Sequence, residues 1–327
     1  MQAKTRQATE AFARDVREGL TRFPKSLPSR YIYDARGDAL FQKIMEMPEY
    51  YLTGCETAIL NRHKSDIAAR FCERGSPFDL VELGAGDGKK TRILLRELLE
   101  ENRSFRYMPV DISGSALQSL AGKLGEELPE LEMKPWQGTY FEVLRQLDQM
   151  KDRHKVILFM GSNIGNLLHP QAVDFLTRLR RALSGGDQLL IGFDQKKDPA
   201  TILAAYNDPA GITAAFNKNV LERINRELGG EFDTEKFRHW EVYDPESGTA
   251  KSYLVAQEDM QVRIGALHLE VALKQWETIH TEISQKYDDE VVRWLAGEAG
   301  LEVVDQYADP KGYYKNYLFR RAKNARD

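Results

Sequence analysis

The segment Phe78-Asp79-Leu80-Val81-Glu82-Leu83-Gly84-Ala85-Gly86-Asp87-Gly88 constrains this chain more than any other. A short apolar run ends in glycines at every second position, and a helical pattern from Lys90 to Glu101 follows at once. Such a run reads as a buried strand. The glycines let the backbone turn sharply at the strand's carboxyl end and approach a ligand closely. In an open α/β sheet the ligand crevice lies at that end.

The same alternation continues downstream. Tyr107–Ile112 reads as a strand, Ser115–Leu124 as a helix, Lys155–Met160 as a buried strand and Pro170–Leu183 as an amphipathic helix. Gly185-Gly186-Asp187 then turns into a strand over Gln188–Phe193. Strands separated by helices of this length predict βαβ units and a parallel, doubly wound sheet.

Beyond Asp194 the alternation stops. A helix-rich half (Ala200–Leu228) precedes a strand-rich half (Trp240–Val255, Val262–Leu273), and the chain ends with a helix over Val291–Ala299 and strands over Leu301–Tyr307 and Tyr314–Arg320. Before the sheet, Ala8, Phe12, Val16 and Leu20 mark one face of a helix. Pro24 to Pro28 is extended or turned, and further helices run over Ala39–Met45 and Glu56–Phe71. The expected organisation is a Rossmann-like α/β domain of residues 61–195 plus 286–327, interrupted by an α+β domain of residues 1–60 plus 196–285.

Composition excludes several function classes. Lys plus Arg is 46 against 50 for Asp plus Glu, a net charge of −4. A broad nucleic-acid footprint needs a basic surface to displace counterions, so none is expected. No 18-residue apolar run suggests a membrane span. The N-terminus is charged from its first turns and lacks a signal-peptide core, so the chain reads as cytoplasmic. Cys55 and Cys72 are the only cysteines, too few for a disulfide scaffold and without metal-ligand spacing. The six histidines show no paired metal-binding spacing either. No metal is expected. A monomer acting on a small molecule is.

The strand over Tyr107–Ile112 brings Asp111 to its end. An acidic residue there accepts hydrogen bonds from ribose hydroxyls, which points to an adenosine-containing cofactor. A dinucleotide site wants G-x-G-x-x-G. Here Gly84, Gly86 and Gly88 give G-x-G-x-G, preceded by Glu82. This resembles the first motif of class I S-adenosylmethionine-dependent methyltransferases.

A narrower resemblance rests on motifs spread over residues 10 to 320. They are Tyr31-Ile32-Tyr33-Asp34-Ala35-Arg36-Gly37, Pro48-Glu49-Tyr50-Tyr51, Gly161-Ser162-Asn163-Ile164-Gly165-Asn166, Ala205-Tyr206-Asn207-Asp208, Phe216-Asn217-Lys218-Asn219 with Ile224-Asn225-Arg226-Glu227-Leu228, and Thr281-Glu282-Ile283-Ser284-Gln285-Lys286-Tyr287. Together they are similar to the histidine N-alpha-methyltransferases of ergothioneine biosynthesis. The resemblance implies S-adenosyl-L-methionine as methyl donor, S-adenosyl-L-homocysteine as product, histidine methylated three times on its α-amine, residues 61–195 plus 286–327 as the cofactor-binding methyltransferase domain and residues 1–60 plus 196–285 as the substrate-binding domain.

Residue by residue, the resemblance assigns Gly84 and Gly86 to the cofactor loop, Lys90 to the cofactor's carboxylate and Asp111 to its ribose. Near the adenine the family has an acidic-aromatic pair; Gly138-Thr139-Tyr140-Phe141 keeps the aromatics Tyr140 and Phe141 but not the acid. Thr139 or a backbone carbonyl would then meet the adenine amine. Asn166 and Tyr206 are matched to the amino acid's carboxylate and amine, Tyr33 to the reacting nitrogen, Tyr50 to the pocket, and Glu282 with Ser284 to the imidazole. An imidazole N–H presented to a carboxylate gains a charge-assisted hydrogen bond, and a serine hydroxyl serves the second ring nitrogen. Position 252 carries serine where the family's better-known members have methionine.

Methyl transfer from a sulfonium needs alignment of amine, methyl and sulfur, loss of a proton from the ammonium and exclusion of water. Tyr33 takes that proton or orients the free amine; the ordinary tyrosine pKa of about 10 favours the second. Taken singly, Tyr33 and Tyr50 also read as packing residues, Asn166 as a cap, and Glu282 with Ser284 as a solvated strand face. Two other functions stay open at this level: an N-methyltransferase for another, aromatic amino acid, and a nicotinamide enzyme or inactive binding module.

Overall fold

The computed structural model describes residues 2–147, 149–150 and 152–323, with the side chains of residues 2–8 and 141 outside the described set. The chain forms two compact units, one of Met1–Tyr51 and Lys197–Ser284 and the other of Leu52–Lys196 and Gln285–Asp327. Elements are numbered along the chain across both.

The first unit holds helices α1 (Gln2–Thr21), α2 (Ala35–Glu46), α8 (Pro199–Tyr206) and α9 (Ile212–Leu228), with strands β1 (Lys25–Ser26), β7 (Phe237–Asp244), β8 (Thr249–Ala256), β9 (Met260–Ile264), β10 (Leu269–Leu273) and β11 (Thr278–Gln285). A four-stranded sheet runs β1-β11-β8-β7, and β9 pairs with β10 separately. Phe12, Val16 and Leu20 of α1 are buried with Phe216, Val220 and Ile224 of α9 and with Leu254 and Ile279 of the sheet. The N-terminal segment therefore packs with the long insertion, as its periodicity requires; the side chain of Ala8 lies outside the described set.

Local chemistry sets several boundaries. Helix α2 starts four residues before its expected Ala39, because the Asp34 carboxylate caps it by accepting the N–H groups of Arg36 and Gly37. The helix-rich stretch divides after Tyr206. There Asp208 turns its carboxylate to the N–H groups of Ile212 and Thr213, each at 2.8 Å, and starts α9 afresh. Glu282 and Ser284 lie on strand β11, as their alternation suggested.

The second unit holds α3 (Tyr51–Phe71), β2 (Phe78–Leu83), α4 (Thr91–Glu100), β3 (Phe105–Asp111), α5 (Gly114–Glu127), β4 (Trp136–Gln137), α6 (Tyr140–Leu147), β5 (His154–Phe159), α7 (His169–Ala182), β6 (Gln188–Asp194), α10 (Asp289–Glu298), β12 (Leu301–Ala308) and β13 (Tyr314–Arg321). The sheet order is β12-β13-β6-β5-β2-β3-β4. Strands β4, β3, β2, β5 and β6 pair in parallel. The fold is thus α/β and doubly wound, with one correction to an all-parallel sheet: β13 runs antiparallel to both β6 and β12. The loop from β12 to β13 is too short for a crossover helix, so the two must form a hairpin. Because α3 is one continuous helix, residues 52–60 belong with this sheet and not with the N-terminal segment.

All six residues of β2 are buried, as a strand covered on both faces must be. Val81 and Leu83 pack with Ile157, Leu189, Phe175 and Leu295. Glu82 points the other way and accepts hydrogen bonds from the Thr91 and Tyr107 hydroxyls. After β11, Lys286 forms a fully buried ion pair with Asp194 at 2.8 Å, and the Tyr287 hydroxyl donates to the Ile164 carbonyl at 3.0 Å. The second half of the Thr281–Tyr287 motif is therefore an anchor. Among the described residues, no helix is long and apolar enough to cross a membrane.

Candidate active site

The sheet unit carries the candidate cofactor residues at the carboxyl ends of its parallel strands. Gly84, Gly86 and Gly88 all have positive φ, at 75°, 53° and 66°. The Gly84 and Ala85 N–H groups bond to the Val110 carbonyl at 2.9 and 3.2 Å, turning the chain across the end of β3. A Cβ on Gly84 would lie 2.6 Å from the Tyr140 hydroxyl, whereas one on Gly86 would meet open space. Close approach thus demands glycine at position 84, while position 86 needs it for backbone conformation.

Asp111 ends β3 half-buried. Its carboxylate accepts the Ser113 N–H at 2.9 Å and the Gly86 N–H at 3.3 Å, which binds the glycine turn to the acidic residue. The next side chain, Ile112, is 63% exposed, leaving an apolar surface beside that carboxylate.

Lys90 precedes α4 and its ammonium is ion-paired with Glu56 of α3. Glu56 is completely buried and also accepts the Gly161 N–H at 2.9 Å and the Tyr314 hydroxyl at 3.1 Å. Gly161 and Ser162 follow β5 with φ of 76° and 58°. A left-handed backbone costs a serine roughly 1–2 kcal/mol, so the surrounding bonds must hold this turn. The Asn163 amide nitrogen lies 3.8 Å from a Cβ placed on Gly84 and 3.6 Å from one on Gly161. Gly84, Lys90, Gly161 and Asn163 therefore share one corner of the sheet. Neither Glu56 nor Asn163 was singled out from sequence; Glu56 sits in a helix with no local sign of function.

Tyr140 opens α6. Its ring packs edge-on against Phe159 and tilted against Phe175, and burial pushes its phenol pKa well up. The side chain of Phe141 lies outside the described residues. The Thr139 N–H and hydroxyl both donate to the Glu142 carboxylate, at 2.8 and 2.9 Å, capping the helix. Glu142, three residues after Thr139, thus places a carboxylate at the start of α6.

Asn166 ends the short 3-10 turn Asn163–Asn166 and is exposed. The other expected substrate residues belong to the four-stranded unit. There Tyr33 packs edge-on against Phe41 and Phe216, with ring centroids 5.6 and 5.2 Å apart. Phe41 is followed by Tyr50 at 6.2 Å and Tyr50 by Tyr206 at 6.3 Å. The Tyr206 hydroxyl lies 2.8 Å from the Ser284 hydroxyl, with both side chains buried. Four of the residues drawn from separate motifs thus form one continuous array. The loop bearing Tyr33 is held by Asn219, whose amide donates to the Ile32 carbonyl and the Asp34 carboxylate at 2.9 Å each. Arg226 pairs with the same carboxylate.

Glu282 is half-buried on β11. Thr281, its neighbour, is the residue beside Ser252: its hydroxyl lies 3.1 Å from the Ser252 carbonyl and 2.6 Å from the Asn217 side-chain oxygen. The Ser252 hydroxyl donates to Glu241 of β7 at 2.5 Å, and both side chains are buried. Serine at 252 is therefore matched by a buried acid across the strand pair. His280 packs at a tilt against Tyr253, with ring centroids 5.4 Å apart, and burial lowers its pKa.

A doubly wound sheet with a glycine turn after its first strand, an acidic residue ending the next and a lysine opening the following helix defines a class I S-adenosylmethionine-dependent methyltransferase. The sequence profile of the family described as histidine-specific, SAM-dependent methyltransferase matches residues 12–321. The chain belongs to that family. It is 39% identical to the histidine N-alpha-methyltransferase of Mycolicibacterium smegmatis, over 93% of each chain. It is 37% identical to that of Mycobacterium tuberculosis, over 92% of each. It is also 29% identical to an N-methyltransferase, fsqC, of Aspergillus fumigatus, over 94% of this chain and 84% of the other.

The residues present suit the methyl donor. Lys90 offers a cation for a carboxylate, Asp111 a carboxylate for a diol, and the space over Gly86 is clear of protein atoms within 4 Å of a Cβ.

Proposed function

We propose that this protein methylates the α-amino group of L-histidine, adding three methyl groups in succession to give the trimethyl betaine hercynine. The 39% identity over 93% of a chain described as a histidine N-alpha-methyltransferase carries the reading. The aromatic array from Tyr33 to Ser284 supports it.

When bound, S-adenosylmethionine supplies an electrophilic methyl on a sulfonium. In this reading Lys90 holds the cofactor's carboxylate, Asp111 accepts from its ribose hydroxyls, Ile112 and Tyr140 offer apolar surface to its adenine, Phe141 is assigned to the adenine by resemblance alone, and Gly84 and Gly86 keep the backbone out of the way. Asn166 and Tyr206 bind the amino acid's carboxylate and amine. Tyr50 walls the pocket, and Glu282 with Ser284 reads the imidazole. Tyr33 orients the amine through its hydroxyl, and the proton leaves from nitrogen before each transfer, because a protonated amine has no lone pair to attack with. Each added methyl removes an N–H donor, so the carboxylate and ring contacts must hold the later intermediates. The protein is read as a monomer working in the cytoplasm, which size-exclusion chromatography and fractionation check.

The deciding experiment incubates the protein with S-adenosylmethionine and each of the twenty amino acids separately, and reads products by mass spectrometry. Histidine gaining one, two and three methyl groups is the expected outcome. Methylation of another amino acid with none on histidine would replace this substrate, and the buried Glu241–Ser252 pair would then be the first place to look for the altered specificity. Titration with NAD tests the nicotinamide alternative in the same preparation.

A further inference from the structure

We propose that Glu56 is a positioning residue for the cofactor's amino-acid end, acting through Lys90 and the turn at Gly161. This rests on the reading of Lys90 as the carboxylate ligand. Glu56 has no exposed surface with which to touch a ligand. Its carboxylate is instead the common acceptor of three groups from three distant parts of the chain: the Lys90 ammonium beyond the glycine turn, the Gly161 N–H after β5 and the Tyr314 hydroxyl on β13.

A lysine is a point charge on a flexible stem, and left alone its ammonium samples many positions. Here one of its three donors is spent on Glu56, while its side chain keeps 23% of its surface exposed. The remaining donors stay available for a second anion. The same carboxylate oxygen that takes the ammonium takes the Gly161 N–H. The position of the cation and the left-handed turn at Gly161-Ser162 are therefore set together. A Cβ on Gly161 would lie 3.3 Å from the Lys90 ammonium, so the lysine runs directly over this turn. On the far side, a Cβ on Gly192 would collide with both Tyr314 and Glu56, which leaves the carboxylate no second place to go. The fold commits a buried acid to orienting one cation at the ends of β2 and β5.

The test compares two ligands that share adenosine and a thioether. S-adenosylhomocysteine carries the amino-acid end; 5′-methylthioadenosine does not. Calorimetric titration of the wild type, of Glu56→Gln and of Lys90→Met is expected to show homocysteine-ligand binding weakened about tenfold by Glu56→Gln, the weight of one charge-assisted hydrogen bond. Methylthioadenosine binding stays unchanged, and adding Glu56→Gln to Lys90→Met produces no further selective loss. A purely structural role would weaken both ligands in parallel, and that result would overturn the proposal. If Glu56→Gln does not fold, Tyr314→Phe decides the matter, because it frees one carboxylate oxygen without altering charge: selective loss for S-adenosylhomocysteine supports the proposal, and parallel loss or none overturns it. Failure of the wild type to bind S-adenosylhomocysteine at all would instead reject the underlying reading of the site.

Discussion

The Tyr206 and Ser284 hydroxyls stand 2.8 Å apart, joining the last residue of α8 to the end of β11 across 78 residues of sequence. Both side chains are buried, 8% exposed each, so neither hydroxyl has much water to fall back on. The bond fixes the aromatic array that runs through Tyr50 and Phe41 to Tyr33.

Tyr206→Phe leaves the Ser284 hydroxyl without this partner, a cost of about 1–2 kcal/mol. The expected outcome in steady-state kinetics is a KM for histidine raised roughly tenfold, with S-adenosylhomocysteine affinity unchanged. Equal losses for both ligands would remove the pair from amino-acid recognition.

Tyr33→Phe keeps the edge-on packing against Phe41 and Phe216 and deletes only the hydroxyl. Turnover is expected to fall more than histidine affinity, by about 10²-fold, as the amine loses its alignment with the methyl group. Single-turnover measurement of each of the three methylations checks this. An unchanged rate for every step takes Tyr33 out of the chemistry.

Gly84→Ala meets two penalties, a positive φ of 75° and a Cβ 2.6 Å from the Tyr140 hydroxyl. Destabilisation of about 1–3 kcal/mol is expected in urea unfolding, with weaker S-adenosylmethionine binding. Adding Tyr140→Phe removes the clash but not the backbone strain, so rescue should be partial. Full rescue would show that backbone conformation at position 84 is without cost.

Glu82 gives a pH signature. Burial, opposed by hydrogen bonds from Thr91 and Tyr107, holds its pKa up to about 7 against an ordinary 4.5. The folded state therefore holds this proton more tightly than the unfolded state. The resulting stability is fully present below pH 4.5 and is lost as the pH rises toward 7, by roughly 3 kcal/mol at 1.4 kcal/mol per pH unit. Glu82→Gln should flatten the change in unfolding free energy between pH 5 and pH 8 relative to the wild type. Two parallel pH profiles would refute this assignment.

Much of this protein was legible in its sequence because the relevant physics is local. A strand, a glycine turn and a helix in succession specify a parallel sheet and a ligand edge, and Asp111 falls at the end of the next strand by simple counting. The expected helices and strands of the sheet unit, the packing of α1 against the insertion and the family motifs all follow from short-range pattern. Even so, the start of α2 depended on the Asp34 side chain capping it, and the hairpin of β12 and β13 reversed one strand because its loop is short.

What only the tertiary structure decided are pairings between residues far apart in the chain. Lys90 is matched from sequence to the cofactor's carboxylate, but the group that orients its ammonium, Glu56, lies 34 residues earlier in another helix. Asn219 holds the Tyr33 loop from 185 residues beyond Asp34. Ser252 reads as an isolated polar substitution until Glu241 is seen across the strand pair. Propensity and periodicity act over a few residues, whereas a buried polar group is stable only if the whole fold delivers its partner. That delivery is set by how strands and helices pack, and no local stretch of sequence records it.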